Sequence, residues 1–114
     1  MNEKKEKVIK GRVFHIVQQK KHESTGDILL TKEKIIQGLG HKGIKEWAYI
    51  LHDKDKKEDG SLKASHWHIM LSCPNQVPLK SVSEWFGVPM QYIEIKSGRG
   101  AFENGVVYLT HELI

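Results

Sequence analysis

One cysteine in 114 residues cannot form an internal disulfide, favours a reducing compartment and excludes a zinc site built on several thiolates. No apolar run approaches the roughly 20 residues of a membrane-spanning helix. The stretch Met1 to Arg12 is charged rather than signal-like, so no membrane partner is expected. There is no internal repeat and no low-complexity linker. The chain therefore reads as one domain, 1–114, long enough to bury a core without a disulfide or a structural metal. Neither sign of charge dominates: 18 Lys and Arg against 14 Asp and Glu leave a net +4 and a pI near 9.2. That balance suits a polyanionic partner without identifying one.

The remaining pattern alternates between strand and helix. Arg12 to Gln18 is β-branched and aromatic and predicts a strand. Thr31 is placed to cap a helix whose apolar stripe is Ile35, Ile36 and Leu39 and whose stop is Gly40 or Gly43. Strands follow over 46–51 and 65–72, joined through Lys56 to Lys63, where Asp59-Gly60 is a hairpin turn signal. Pro74 and Pro78 break the chain, and Leu79 to Phe86 predicts a short helix stopped by Gly87-Val88-Pro89. Gln91 to Lys96 alternates as a fourth strand with Tyr92 packed inside it. After a turn at Ser97 to Gly100, Ala101 to Leu113 predicts a final helix despite the β-prone Val106-Val107-Tyr108. The order implies an α+β fold, an antiparallel sheet of four or five strands with helices packed on one face. The other face is left open, and open faces of this kind commonly bind nucleic acid.

That open face carries chemistry. In the strand around His66-Trp67-His68, alternation puts His66 and His68 on one face and Trp67, Ile69 and Leu71 on the other. Two imidazoles roughly 7 Å apart at Cα can converge on one metal ion. A hairpin between the two middle strands returns His52 and Asp55 to the same end of the sheet, giving three imidazoles and a carboxylate. Asp53 is an alternative to Asp55. Nitrogen donors suit Zn²⁺, Mn²⁺, Co²⁺ or Ni²⁺, whereas Mg²⁺ calls for more oxygen. Four protein ligands leave an open position only on an ion that accepts five or six, which favours Mn²⁺, with Mg²⁺ as second choice. An EF-hand reading of Asp53-Lys54-Asp55 fails, because Glu58 and Ala64 stand where that loop needs glycine and glutamate.

Tyr108 is the second half of the constellation. If the last helix crosses the open face, its phenol can reach a phosphate held by the metal. With a pKa near ~10 the phenol needs a polarised electrophile or a nearby base before it attacks. His111, three residues on, shares its helical face and is a candidate for proton transfer. Tyr92 is a rival nucleophile by residue type. Arg12, Lys54, Lys63, Lys96 and Arg99 are candidate phosphate contacts, and Trp47 or Trp85 a candidate stacking platform, whereas Trp67 belongs to the core. His15, His22 and His41 show no partner pattern and are read as surface or structural.

The set His52-Asp53-Lys54-Asp55, His66-Trp67-His68 and Tyr108-Leu109-Thr110-His111 resembles the replication initiators of streptococcal-type rolling-circle plasmids, members of the HUH endonuclease superfamily. The resemblance covers about nine-tenths of the chain. It maps the family's His-hydrophobic-His onto His66 and His68, its His-x-x-Asp onto His52 and Asp55, and its nucleophile onto Tyr108. It implies a cytoplasmic, bacterial, metal-dependent nickase. Tyr108 would attack single-stranded origin DNA in a hairpin loop, keep a 5′-phosphotyrosyl bond and release a 3′-OH that can also rejoin strands. Family members run on into a longer tail, so this chain reads as a trimmed catalytic domain, monomeric as such.

Three rivals differ in class or target. A non-catalytic nucleic-acid-binding module would use the same sheet, and Arg99-Gly100-Ala101-Phe102 resembles the start of an RNA-recognition signature before Glu103-Asn104-Gly105 breaks its spacing. A three-histidine zinc hydrolase lacks an evident general base. A conjugative or mobilisation relaxase shares the chemistry and differs in DNA target.

Overall fold

The computed structural model describes residues 9–21, 25, 27–52 and 65–111, without the side chains of His52, Thr110 and His111. Four strands and three helices follow the chain order β1 (Lys10–Gln19), α1 (Lys32–Leu39), β2 (Glu46–His52), β3 (His66–Pro78), α2 (Leu79–Phe86), β4 (Ile93–Lys96) and α3 (Ala101–His111). A 3₁₀ turn, Met90–Tyr92, precedes β4. The strands form one antiparallel sheet in the order β2-β3-β1-β4.

Alternation divides the sheet as the sequence implies. Phe14, Ile16, Trp67, Ile69, Leu71 and Ile93 point to one side and are buried with Ile35 and Leu39 of α1 and Val82 and Phe86 of α2. Trp67 anchors this layer, its Nε1–H donating to the Leu30 carbonyl at 3.1 Å. Thr31 caps α1 by accepting from the Lys34 N–H at 3.1 Å, and α2 ends on Gly87 in the left-handed region, φ 66°.

The third helix takes the other side. Packed against β3, β1 and β2, α3 crosses the face that carries His66 and His68. This is the placement that a role for Tyr108 requires. The turn into α3 needs φ of 100° at Gly98 and 76° at Gly100, conformations open to glycine at little cost.

β1 starts two residues before the expected Arg12, at Lys10, and two further boundaries differ from the sequence reading. β3 runs past Pro74 to Pro78 because its pairing with β1 is irregular: Ser72 pairs with Val13 and Val77 with Gly11, so Pro74 falls where no ladder bond is required. β4 begins only at Ile93. Tyr92, read as packed within a strand, instead sits in the 3₁₀ turn and is 43% exposed, because Pro89 ahead of it favours a turn over an extended entry.

Candidate nucleic-acid and metal site

Directly opposed residues of an antiparallel pair share a face. Val17 opposes His68, His15 opposes Met70, and Glu94 opposes His15, so His15, Val17, His68, Met70 and Glu94 lie on the face under α3. His52 opposes His66 across β2 and β3, as the hairpin argument demands of the backbone. The rings of His66 and His68 stand with centroids 4.9 Å apart and tilted by 58°. His66 is half-buried and His68 buried.

His15, which the sequence leaves as surface or structural, is buried and has a partner. Its Nε2 lies 3.0 Å from Nδ1 of His68 in a buried hydrogen bond, the two rings stacked at 5.2 Å. On its other side His15 meets the Tyr108 ring edge-on, with centroids 6.3 Å apart. One signal pointed to it: an imidazole inside an otherwise apolar strand is usually held by a partner. The partner depends on register across 53 positions, which periodicity along one strand does not report.

Tyr108 lies on α3, 53% exposed, at the wall of a cleft of about 510 Å³ bounded also by His15, Glu94, Lys96, Ser97 and Asn104. A second hollow of about 430 Å³ shares His15 and Glu94 with this cleft and adds Val17, Gln91 and Tyr92. A third joins Tyr92 and Gln91 to His66. Grooved surface thus runs from Tyr108 past His15 to His66.

The remaining expected residues divide. Asp55, with Asp53, Lys54 and Lys63, lies outside the described residues, as does the His52 side chain. Lys96 lines the cleft and forms an ion pair with Glu94 at 3.0 Å. Arg99 is exposed in the turn before α3, and Arg12 is exposed at the end of β1 away from His66. Arg99-Gly100-Ala101-Phe102 leads into a helix, so no RNA-recognition strand forms there. Trp85 stacks on His41 at 4.0 Å, while Trp47 is 51% exposed beside Tyr49 on the edge strand.

Among the described residues no group of three or more His, Cys, Asp or Glu is arranged to hold a metal. The His66–His68 pair fits two nitrogen positions of a mixed nitrogen and oxygen site. The donors expected to complete it, the His52 imidazole and the Asp55 carboxylate, belong to the undescribed part.

A four-stranded antiparallel sheet bearing histidines under a tyrosine-carrying helix defines a class of α+β domain with a grooved histidine face. Over residues 4–113 the sequence matches the family described as plasmid replication protein, origin binding domain. The chain belongs to that family. It is also 35% identical over 96 residues to a replication protein of Onion yellows phytoplasma (strain OY-M), covering 73% of this chain and 25% of that protein. The chain thus spans about a quarter of the length of this curated relative. No helix among the described residues is long and apolar enough to cross a membrane.

Proposed function

We propose that this chain is the nicking domain of a rolling-circle initiator of the HUH type, cutting and rejoining single-stranded DNA of a plasmid origin. The observation that carries the reading is the gathering of Tyr108, His15, His66 and His68 on one sheet face, where adjoining hollows run from Tyr108 past His15 to His66. Membership in the origin-binding family supports plasmid-origin DNA as the substrate, and the resemblance of the three sequence motifs supports the chemistry.

The phenolic oxygen of Tyr108 attacks the scissile phosphorus, and a P–O bond to tyrosine forms as the P–O3′ bond breaks. The phenol releases its proton to a solvent base and the 3′-oxyanion takes one up. The 5′-phosphate stays esterified to Tyr108, so the 3′-OH of the same or another strand can reverse the step. His66 and His68, with His52 and Asp55, would hold a divalent ion. That ion, Mn²⁺ in preference to Mg²⁺, supplies Lewis-acid polarisation of the phosphate. Lys96 lines the cleft and Arg99 is exposed in the turn beside it, and both would screen phosphate charge, with Arg12, Lys54 and Lys63 as further contacts. The reaction belongs in the bacterial cytoplasm, on origin DNA exposed in a hairpin loop.

The test is incubation with a labelled single-stranded origin oligonucleotide and Mn²⁺, followed by denaturing electrophoresis. A covalent adduct that disappears in excess EDTA is expected. Tight binding with no adduct under any divalent ion would leave an origin-binding module without chemistry. Tyr92 is the competing nucleophile, favoured by its exposure and by sharing a hollow with His66. Peptide mapping of the trapped adduct separates the two tyrosines.

A further inference from the structure

We infer that His15 is a positioning residue for the metal site: its Nε2 accepts a hydrogen bond from Nδ1–H of His68, leaving the His68 Nε2 lone pair to face a metal ion. The inference rests on the reading of His68 as a metal ligand. It concerns a residue outside the three motifs.

A neutral imidazole carries one N–H and one lone pair. His68 turns Nδ1 toward His15 at 3.0 Å, so Nε2 is the nitrogen left to meet an ion. Were Nδ1 to accept from His15, Nε2 would hold the hydrogen and have no lone pair to give. Ligation by His68 and the observed contact are therefore compatible in one direction only. His15 accepts, and its own hydrogen sits on Nδ1.

The bond is sheltered, with His15 9% and His68 7% exposed, so water competes poorly for either nitrogen. In water the Nε2–H form of histidine is the favoured tautomer, which is the wrong one for this ligand. An acceptor fixed on the neighbouring strand reverses that preference. Register makes the acceptor rigid: His15 opposes Met70 and Val17 opposes His68 in the central strand pair, which places the two imidazoles diagonally on one face. Partners that orient metal-bound histidines in this way typically change metal affinity about 10–100-fold when removed. The same ring stands edge-on to Tyr108, so one side chain borders both the ligand and the nucleophile.

Nitrogen-15 NMR of the imidazole rings in metal-free protein tests the tautomer directly, and Mn²⁺ titration tests its consequence. Wild-type protein is expected to show His68 as the Nδ1–H form. His15→Phe keeps a ring but offers no acceptor; His68 should revert to Nε2–H and Mn²⁺ affinity should fall about 10–100-fold. His15→Gln restores an acceptor oxygen and should recover much of both. A wild-type His68 in the Nε2–H form overturns the inference without any variant. So does a folded His15→Phe protein with unchanged tautomer and Mn²⁺ affinity. If His68 follows His15 as described yet wild-type protein binds neither Mn²⁺ nor Co²⁺, the hydrogen-bond assignment stands and the metal site of the proposed function fails.

Discussion

Gly105 of α3 lies so close to Met70 of β3 that a β-carbon there would come within 2.7 Å of the methionine sulfur. Met70 is fully buried, so it has little room to retreat. This contact sets how deeply α3 seats on the histidine face, and with it the height of Tyr108 above the sheet. Gly105→Ala gains up to about 1 kcal/mol of helix propensity and loses about 1–3 kcal/mol to overpacking. The expected result is a net loss of stability by chemical denaturation and a larger loss of nicking. Shortening the partner in Gly105→Ala/Met70→Ala should relieve the overlap, giving a non-additive pair in a double-mutant cycle.

Tyr108→Phe should abolish the covalent protein–DNA species while changing folding stability by less than about 0.5 kcal/mol, since the ring is half-exposed. Tyr92→Phe is the matched control and should keep the adduct. An adduct that survives in Tyr108→Phe and maps to Tyr92 reassigns the nucleophile and leaves the histidines in place.

His66→Ala and His68→Ala should each eliminate Mn²⁺-dependent cleavage, and each should erase the rise in melting temperature expected of the wild type when Mn²⁺ is added. Their effects without metal should differ. His68 is buried and hydrogen-bonded to His15, so its loss should cost about 1–3 kcal/mol, whereas half-buried His66 should cost less. Calorimetry with and without Mn²⁺ reads both effects.

Much of this architecture is legible in the residues themselves. Alternation through His66-Trp67-His68 separates a core tryptophan from two histidines on the opposite face, and the structure keeps that division of faces. Thr31 and Gly87 mark helix ends because capping is local chemistry. Three features escape such reading, two because they depend on distant pairing and one because a local turn overrides alternation. His15 finds its partner through β1–β3 register. Pro74 lies within a strand because the opposite strand is irregular there. Tyr92 leaves its strand because a 3₁₀ turn intervenes after Pro89.

Binding to single-stranded origin DNA should weaken with salt, because phosphate neutralisation releases counterions. Lys96→Ala and Arg99→Ala should each lower the slope of log K against log salt by about one. Lys96 pairs with Glu94 at a solvent-exposed position, a contact contributing about 0–1 kcal/mol, so its loss should leave folding nearly unchanged. Affinity that is flat across salt would remove these cations from the interface.

Burial pushes the Cys73 thiol above its ordinary range. Because the folded pKa exceeds the unfolded one, any stability linked to this group is intact below the unfolded value and declines as pH rises through the folded one. Native protein should accordingly react slowly with a maleimide at neutral pH and quickly once unfolded, as mass spectrometry of the labelled chain will show.

The order of residues along the chain has a consequence for synthesis. The central strand pair that brings His15 to His68 is complete once β3 has been made, and α3 with Tyr108 follows it along the chain. A chain growing from its N-terminus thus acquires the His15–His68 pair before Tyr108. On the nicking reading, Tyr108 reaches a phosphate only when α3 is seated against β3, so cutting depends on a helix that joins the histidine face after its strands.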